Sequence, residues 1–266
     1  MRVFGLIGQP LTHSFSGQYF TEKFRTLGLF DHQYNLYPLP DLNGFLDWVR
    51  AIDGLVGLNV TIPYKKSILP FLDETHLPAG LDACNCIHLQ AGKLVGFNTD
   101  VIGFSESLQP LLRPHHDQAL ILGHGGAAEA VCFVLNQLHI PYRIVGRKAG
   151  QGVDLTYSDL SVEVLRGARL IIQTTPLGTY PNIEEYPAIP YEAIGSEHLL
   201  YDLVYNPAKS RFLGMGAARG ATIKNGEEML VKKWKGWSSK DLYLLKLDDI
   251  FDDKVNKNDE YIFWAN

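Results

Sequence analysis

A basic excess, long apolar runs and a pairable cysteine set are all missing from this 266-residue chain. Its 24 Lys and Arg stand against 29 Asp and Glu, for a formal net charge of -5 and a pI near 6.0. No global field therefore draws it to nucleic acid or to an anionic membrane, and any anion site has to be local. No window approaches the ~20 consecutive apolar residues that a membrane-crossing helix needs. Three cysteines, Cys84, Cys86 and Cys132, cannot all pair, and the first two are too close along an extended segment to bridge without strain. This usage predicts a reducing, cytoplasmic setting. Cys84-x-Cys86 has no second ligand pair at zinc-site spacing and His115-His116 falls in a polar link, so no metal is expected. Solenoid repeats and low-complexity stretches are also lacking. The opening run from Val3 to Ile7 breaks at Gly8 and Pro10, which is too short for a signal peptide's apolar core. It reads as a first strand.

What the chain does have is alternation. At 46% hydrophobic residues it has ample apolar material for two domains. After the first strand, Ser14 precedes a helical pattern through about Leu27, with Phe15, Tyr19, Phe20, Phe24 and Leu27 on one face before Gly28. A strand from Gln33 to Tyr37, a helix capped by Asp41 and running to Ala51, and a strand from Leu55 to Thr61 follow. Cys84 to Leu89 and Lys93 to Phe97 predict a hairpin, and hence a mixed rather than parallel first sheet. Asp100 opens a helix to about Leu112, and Arg113 to Asp117 is polar enough to link into a second unit. Strands then recur at Ala119 to Leu122, Tyr142 to Val145, Leu170 to Gln173 and Leu199 to Leu203, with helical patterns between. The fold class expected is α/β: an amino-terminal mixed-sheet domain over 1–101 and a Rossmann-like dinucleotide-binding domain over 102–237, with a cleft between them. Residues 238–266 form a divergent tail. Leu242, Leu245 and Ile250 give it a helical option, and packing back on the first domain is one arrangement open to it.

Gly123-His124-Gly125-Gly126-Ala127-Ala128 follows an apolar strand and opens a helix. In that context Gly123 permits a tight turn, Gly125 lets the backbone approach a pyrophosphate, and small Ala128 lets helix and strand pack closely. Glycines before a helix are also ordinary turn formers. The end of the next strand separates the two nicotinamide cofactors, because an acid there would accept from the ribose hydroxyls of NAD. Here the chain reads Gly146-Arg147-Lys148, with no acid and with an arginine fork suited to the extra phosphate of NADP. A solvated basic turn is the alternative.

The first half carries polar groups where open α/β sheets place ligands. Ser14 and Ser16 stand at the mouth of the first strand, where two hydroxyls can reach one carboxylate, although Ser14 serves equally as a helix cap. Asn59, Thr61, Asn85 and Asp100 add donors and acceptors suited to a polyhydroxylated ring. Lys65 and Asp100 form the titratable pair of interest. Hydride transfer to a ketone leaves negative charge on oxygen, which a nearby lysine can protonate or stabilise while an aspartate orients the amine or a hydroxyl. Desolvation would favour a lysine acting as base, and an adjacent carboxylate would oppose it, so proton relay and fixed-charge stabilisation both remain open. A surface ion pair is the bland alternative.

Five ordered motifs carry a family resemblance: Ser14-x-Ser16, Asn59-Val60-Thr61-Ile62-Pro63-x-Lys65, Gly96-x-Asn98-Thr99-Asp100, Gly123-x-Gly125-Gly126-Ala127 and Asp202-Leu203-Val204-Tyr205-Asn206-Pro207. From Val3 to about Val231 the chain resembles the shikimate dehydrogenases. The resemblance implies NADPH-dependent reduction of 3-dehydroshikimate to shikimate, with Lys65 and Asp100 as the catalytic pair. It implies substrate contacts from Ser14, Ser16, Asn59, Thr61, Asn85 and Tyr205, and cofactor contacts from Gly123, Gly125, Gly126, Ala127, Arg147, Lys148, Thr175 and Gly226. With neither a basic face nor a long apolar run, no nucleic-acid or membrane partner is expected, and the chain is expected to be a monomer or homodimer. An NAD-preferring quinate or shikimate dehydrogenase and a non-catalytic ligand-binding relative are the alternatives. Three departures stand out: Gly146-Arg147-Lys148 replaces Asn-Arg-Thr, Cys84-Asn85-Cys86 replaces Val-Asn-Thr, and Lys233 takes the place of a substrate-contacting glutamine. After Lys233 the chain does not follow the family's closing helix.

Overall fold

The computed structural model describes residues 1–12, 14 and 16–237, with side chains described as far as Lys232. Contacts divide the chain into two compact units, Met1–Thr99 and a second that begins at Asp100. The tail expected over 238–266 lies outside the described residues.

The first unit runs β1 (Arg2–Gly8), α1 (Ser16–Thr26), β2 (His32–Pro38), α2 (Phe45–Ala51), β3 (Leu55–Val60), α3 (Tyr64–Ser67), β4 (Glu74–His76), β5 (Cys86–Gln90) and β6 (Lys93–Phe97). Its sheet has the order β2-β1-β3-β5-β6-β4. Strands β1, β2 and β3 pair in parallel, and β5 runs antiparallel to both β3 and β6. The mixed sheet expected from the hairpin is therefore present. Its turn is Ala91-Gly92, both at positive φ (50° and 80°), closed by the Gln90–Lys93 pair. Two left-handed residues in a two-residue loop match the twist of the flanking strands. Central β1 is buried from Val3 to Gly8, as a parallel strand covered on both faces should be. One layer under this sheet gathers Ile7, Phe45, Val49, Leu58, Val60, Ile68 and Ile87. On the other face Phe20 stacks on Tyr34 with ring centroids 4.4 Å apart, and Phe24 packs on Phe4.

Helix α2 corrects one boundary. Asp41 does not cap it: the Asp41 carboxylate accepts the Asn43 amide at 2.7 Å in a local turn, and the helix starts three residues later behind Gly44 at φ 67°. A short side chain can satisfy a turn as readily as a helix end.

The second unit runs α4 (Asp100–Leu108), β7 (Ala119–Leu122), α5 (Gly126–Gln137), β8 (Tyr142–Gly146), β9 (Leu155–Thr156), α6 (Val162–Gly167), β10 (Leu170–Gln173), β11 (Leu199–Asp202), α7 (Arg211–Ala217), β12 (Thr222–Lys224) and α8 (Glu227–Trp237). All six described strands are parallel, in the order β12-β11-β10-β7-β8-β9. This is the doubly wound arrangement that alternation of strand and helix predicts. Helix α4 stops short of Leu112 because Pro110 enters a 3₁₀ turn over Gln109–Leu111. Leu120, Leu122, Ile171, Leu200, Leu165 and Phe212 fill one side of the sheet. Each fully buried aliphatic side chain of this kind contributes about 1.5–3 kcal/mol relative to exposure.

Candidate functional site

In the first unit, the carboxyl ends of β1, β3 and β6 and the amino end of β5 meet at one edge of the sheet. Backbone bonds lock that edge: Thr61 N–H donates to the Ile7 carbonyl at 3.0 Å, Gln9 N–H to Ile62 at 2.9 Å, and Val60 N–H to Asn85 at 2.8 Å. Ser14 and Ser16 follow β1, and the Ser14 hydroxyl accepts the Ser16 amide at 3.3 Å at the head of α1. The helix-end role is thus present at Ser14, and its hydroxyl proton remains to be donated elsewhere. Thr61 is half-buried just beyond β3.

Lys65 sits on α3, which is anchored by buried Tyr64 and Ile68. The Tyr64 hydroxyl donates to the Leu39 carbonyl at 2.6 Å, and the Lys65 carbonyl accepts from Cys84 N–H at 2.8 Å. The lysine backbone is therefore held by two neighbouring segments, while its side chain is half-buried. Asn85 is 3% exposed and clamps Thr99: its Oδ1 accepts the Thr99 amide at 2.8 Å and its Nδ2 donates to Thr99 Oγ1 at 3.1 Å. Asn98 Nδ2 donates to the Ala83 carbonyl at 2.6 Å. These bonds fix the chain immediately before Asp100, a 2%-exposed carboxylate at the first turn of α4. A carboxylate there also matches the positive end of the helix dipole.

One polar partner escaped the sequence reading. Tyr34 on β2 is buried, and its hydroxyl donates to Asn59 Oδ1 at 2.7 Å. Burial pushes the phenol well above its ordinary range. The available signal was strand parity, since Tyr34 pairs with Phe4, Phe4 pairs with Gly57, and Asn59 lies two residues further along the same face.

In the second unit, Gly123 has φ 113°, and a Cβ there would meet Thr174 Oγ1 at 2.7 Å and Thr175 Cγ2 at 2.8 Å. Only glycine fits that turn. Gly125 is the N-cap of α5, no side chain caps the helix, and a Cβ at Gly125 would point into open space. The amides of Gly126 and Ala127, at the first turn of α5, are left by α-helical geometry without intrahelical partners. Ala128 is buried, as close packing of α5 requires. Arg147 and Lys148 are exposed just past β8. A helix start with no side-chain cap suits a pyrophosphate and an exposed cationic pair suits an extra phosphate, so these residues fit NADP. Thr175 Oγ1 donates to Gln173 Oε1 at 2.8 Å, which places it beside the Gly123 turn.

Beyond β11, the Asp202 carboxylate accepts Val204 N–H at 3.0 Å and the Ser210 hydroxyl at 2.5 Å. It is fully buried, and desolvation raises it to about 7 against the pull of those two bonds. The loop so held carries half-buried Tyr205. Gly226 proves to have a packing reason: its N–H donates to Val204 at 3.1 Å, and a Cβ would strike the Leu203 backbone. The Lys233 side chain lies outside the described residues. Among the described residues, no group of three or more His, Cys, Asp or Glu is placed to hold a metal, and no helix is long and apolar enough to cross a membrane. Among the described residues, Cys84, Cys86 and Cys132 form no disulfide.

Comparison with known proteins agrees with this layout. A sequence model of the shikimate dehydrogenase substrate binding domain matches residues 6–87. The NADP(+)-dependent shikimate dehydrogenase of Methanopyrus kandleri is 36% identical over 252 residues, covering 86% of each chain. That of Methanocaldococcus jannaschii is 33% identical, covering 96% of this chain and 98% of its own. Among solved structures, the Thermus thermophilus shikimate 5-dehydrogenase in complex with NADP(H) and shikimate superposes with TM-score 0.75 at 30% identity, over 89% of this chain and 93% of that one. With its mixed-sheet first unit, its glycine-turn second unit and relatives of this kind along most of its length, the chain belongs to the shikimate dehydrogenase family.

Proposed function

We propose that this chain catalyses the reversible, NADPH-dependent reduction of 3-dehydroshikimate to shikimate, with residues 1–101 binding substrate and residues 102–237 binding NADP. The observation that carries the reading is the pairing, in one chain, of a polar sheet edge built from Thr61, Lys65 and Asn85 with a parallel-sheet unit whose Gly123 turn opens an uncapped helix. Relatives named as NADP(+)-dependent shikimate dehydrogenases along most of the chain support it.

Bound NADPH would supply the hydride that adds to the ketone carbon. The chain's own task is then the ketone oxygen, which gains a pair of electrons and needs one proton. Lys65 is assigned to that oxygen, as proton donor or as fixed positive charge, and Asp100 to orienting the amine and a ring hydroxyl. Ser14 and Ser16 take the carboxylate, and Asn59, Thr61, Asn85, Tyr205 and Lys233 take the remaining oxygens. Gly123, Gly125, Gly126, Ala127, Thr175 and Gly226 contact the cofactor, and Arg147 with Lys148 meets its extra phosphate. The enzyme is read as cytoplasmic, in keeping with its unbridged thiols, as needing no metal, and as a monomer or homodimer.

The test is NADPH consumption on adding 3-dehydroshikimate, repeated with Lys65→Ala and with NADH. Lys65→Ala should lower kcat by about 10²–10⁴ while leaving the KM for NADPH near its original value, because the interaction is strongest in the transition state. Absence of turnover in the unmodified protein sinks the reading.

A further inference from the structure

Asn59 is an ambiguous ligand group, because its amide can turn either an acceptor or two donors toward a substrate. In the folded chain that ambiguity is removed by a neighbour with no place of its own at the sheet edge. Tyr34 has one hydroxyl proton, and it is given to Asn59 Oδ1 at 2.7 Å. The amide oxygen is thereby turned back into the protein, and the Nδ2 hydrogens are what Asn59 has left to offer. Asn59 is 8% exposed and Tyr34 7%, so water does not compete freely for this bond. The Tyr34 ring is itself fixed, stacked 4.4 Å from Phe20, which belongs to the same helix as Ser16. One phenol on β2 thus anchors a proposed substrate contact on β3, across β1.

We propose that Tyr34 is a positioning residue for substrate recognition: it locks the Asn59 amide as a donor, so that the ring oxygen facing Asn59 must act as an acceptor. This deepens the reading of Asn59 as a substrate contact and rests on it. Because burial keeps the phenol protonated, the lock holds throughout the neutral range.

The experiment compares the wild type with Tyr34→Phe, Asn59→Ala, Asn59→Asp and the Tyr34→Phe/Asn59→Ala double variant, in steady-state assays with shikimate and NADP and in thermal melts. Tyr34→Phe keeps the ring and its stacking. It should raise the KM for shikimate about 3- to 10-fold, with kcat and the KM for NADP each changed by less than about 2-fold, the size expected for one net hydrogen bond. In the double variant the Tyr34 effect should disappear, since its only route to substrate runs through Asn59. Asn59→Asp preserves an acceptor for Tyr34 but removes the donors, so it should weaken shikimate at least as much as Asn59→Ala. The proposal is overturned if Tyr34→Phe leaves the KM for shikimate unaltered while Asn59→Ala raises it, if the two effects simply add, or if Tyr34→Phe lowers melting temperature and kcat together. It is also overturned if Asn59→Asp binds shikimate like the wild type. If Asn59→Ala itself changes nothing, the fault lies with the substrate assignment of Asn59. Should Tyr34→Phe not fold, the Asn59→Asp comparison decides alone.

Discussion

Asp202 offers the most direct energetic test of how the loop carrying Tyr205 is held. Its carboxyl is buried beneath that loop and is shifted from 3.8 to about 7 by desolvation, despite donors from Val204 and Ser210. A folded-state value above the unfolded one means that the native chain binds the extra proton, so this group's contribution to stability is full below about pH 4 and declines as pH rises toward 7. Integrating the two titrations gives a loss of about 2 kcal/mol between about pH 5.5 and about pH 8.5, an upper figure for one buried carboxyl. Asp202→Asn is nearly isosteric and cannot ionise. Its amide oxygen still accepts from Val204, and its amide nitrogen can face Ser210 if that hydroxyl turns to accept. The variant should therefore gain on the wild type by about 2 kcal/mol as pH is raised over that span, whatever its absolute stability. Urea denaturation of both proteins at the two pH values measures the difference of differences and cancels shared pH effects. A wild-type/variant gap that stays constant, or that moves in favour of the wild type at high pH, refutes the reasoning.

Two further substitutions test the cofactor side. Gly123→Ala forces a left-handed residue and a clash with Thr174 and Thr175, so NADP affinity should fall by about 10-fold or more in a binding titration, with shikimate binding unaltered; a functional Gly123→Ala enzyme of normal NADP affinity contradicts the turn's assignment. Arg147→Ala removes an exposed charge past β8, and should raise the KM for NADP about 10-fold or more while changing that for NAD by less than about 2-fold. Equal effects on both cofactors would deny Arg147 its phosphate.

Much of this architecture was legible because long-range order follows short-range pattern here. Apolar runs such as Ala119–Leu122 and Leu170–Gln173 are buried throughout and bounded by turn residues, so their strands stand where periodicity puts them. Strands without such a signature were invisible: β4 is Glu74-Thr75-His76, exposed at every position, and is a strand only because β6 offers it an edge. The motifs at the sheet edge were readable as residue types, yet not as partners. Asn85 looked like a ligand contact and also proves to be the clamp for Thr99, a bond between residues 14 apart that depends on the intervening hairpin. Tyr34 was hidden for a related reason, since its meeting with Asn59 is diagonal across a strand and leaves no local spacing to recognise.

That hairpin has a consequence of its own. The Asn85–Thr99 clamp exists because β5 and β6 are joined by two residues, both in the left-handed region, which sets the pairing Cys86↔Phe97. With the two-residue turn kept, one residue inserted after Gly92 would move β6 by one position against β5 and send every side chain on it to the opposite face. Thr99 would then swing away from Asn85, and the first turn of α4 would lose its mooring. The length of a distant, solvent-facing loop is thus a setting for where the buried carboxylate of Asp100 begins its helix.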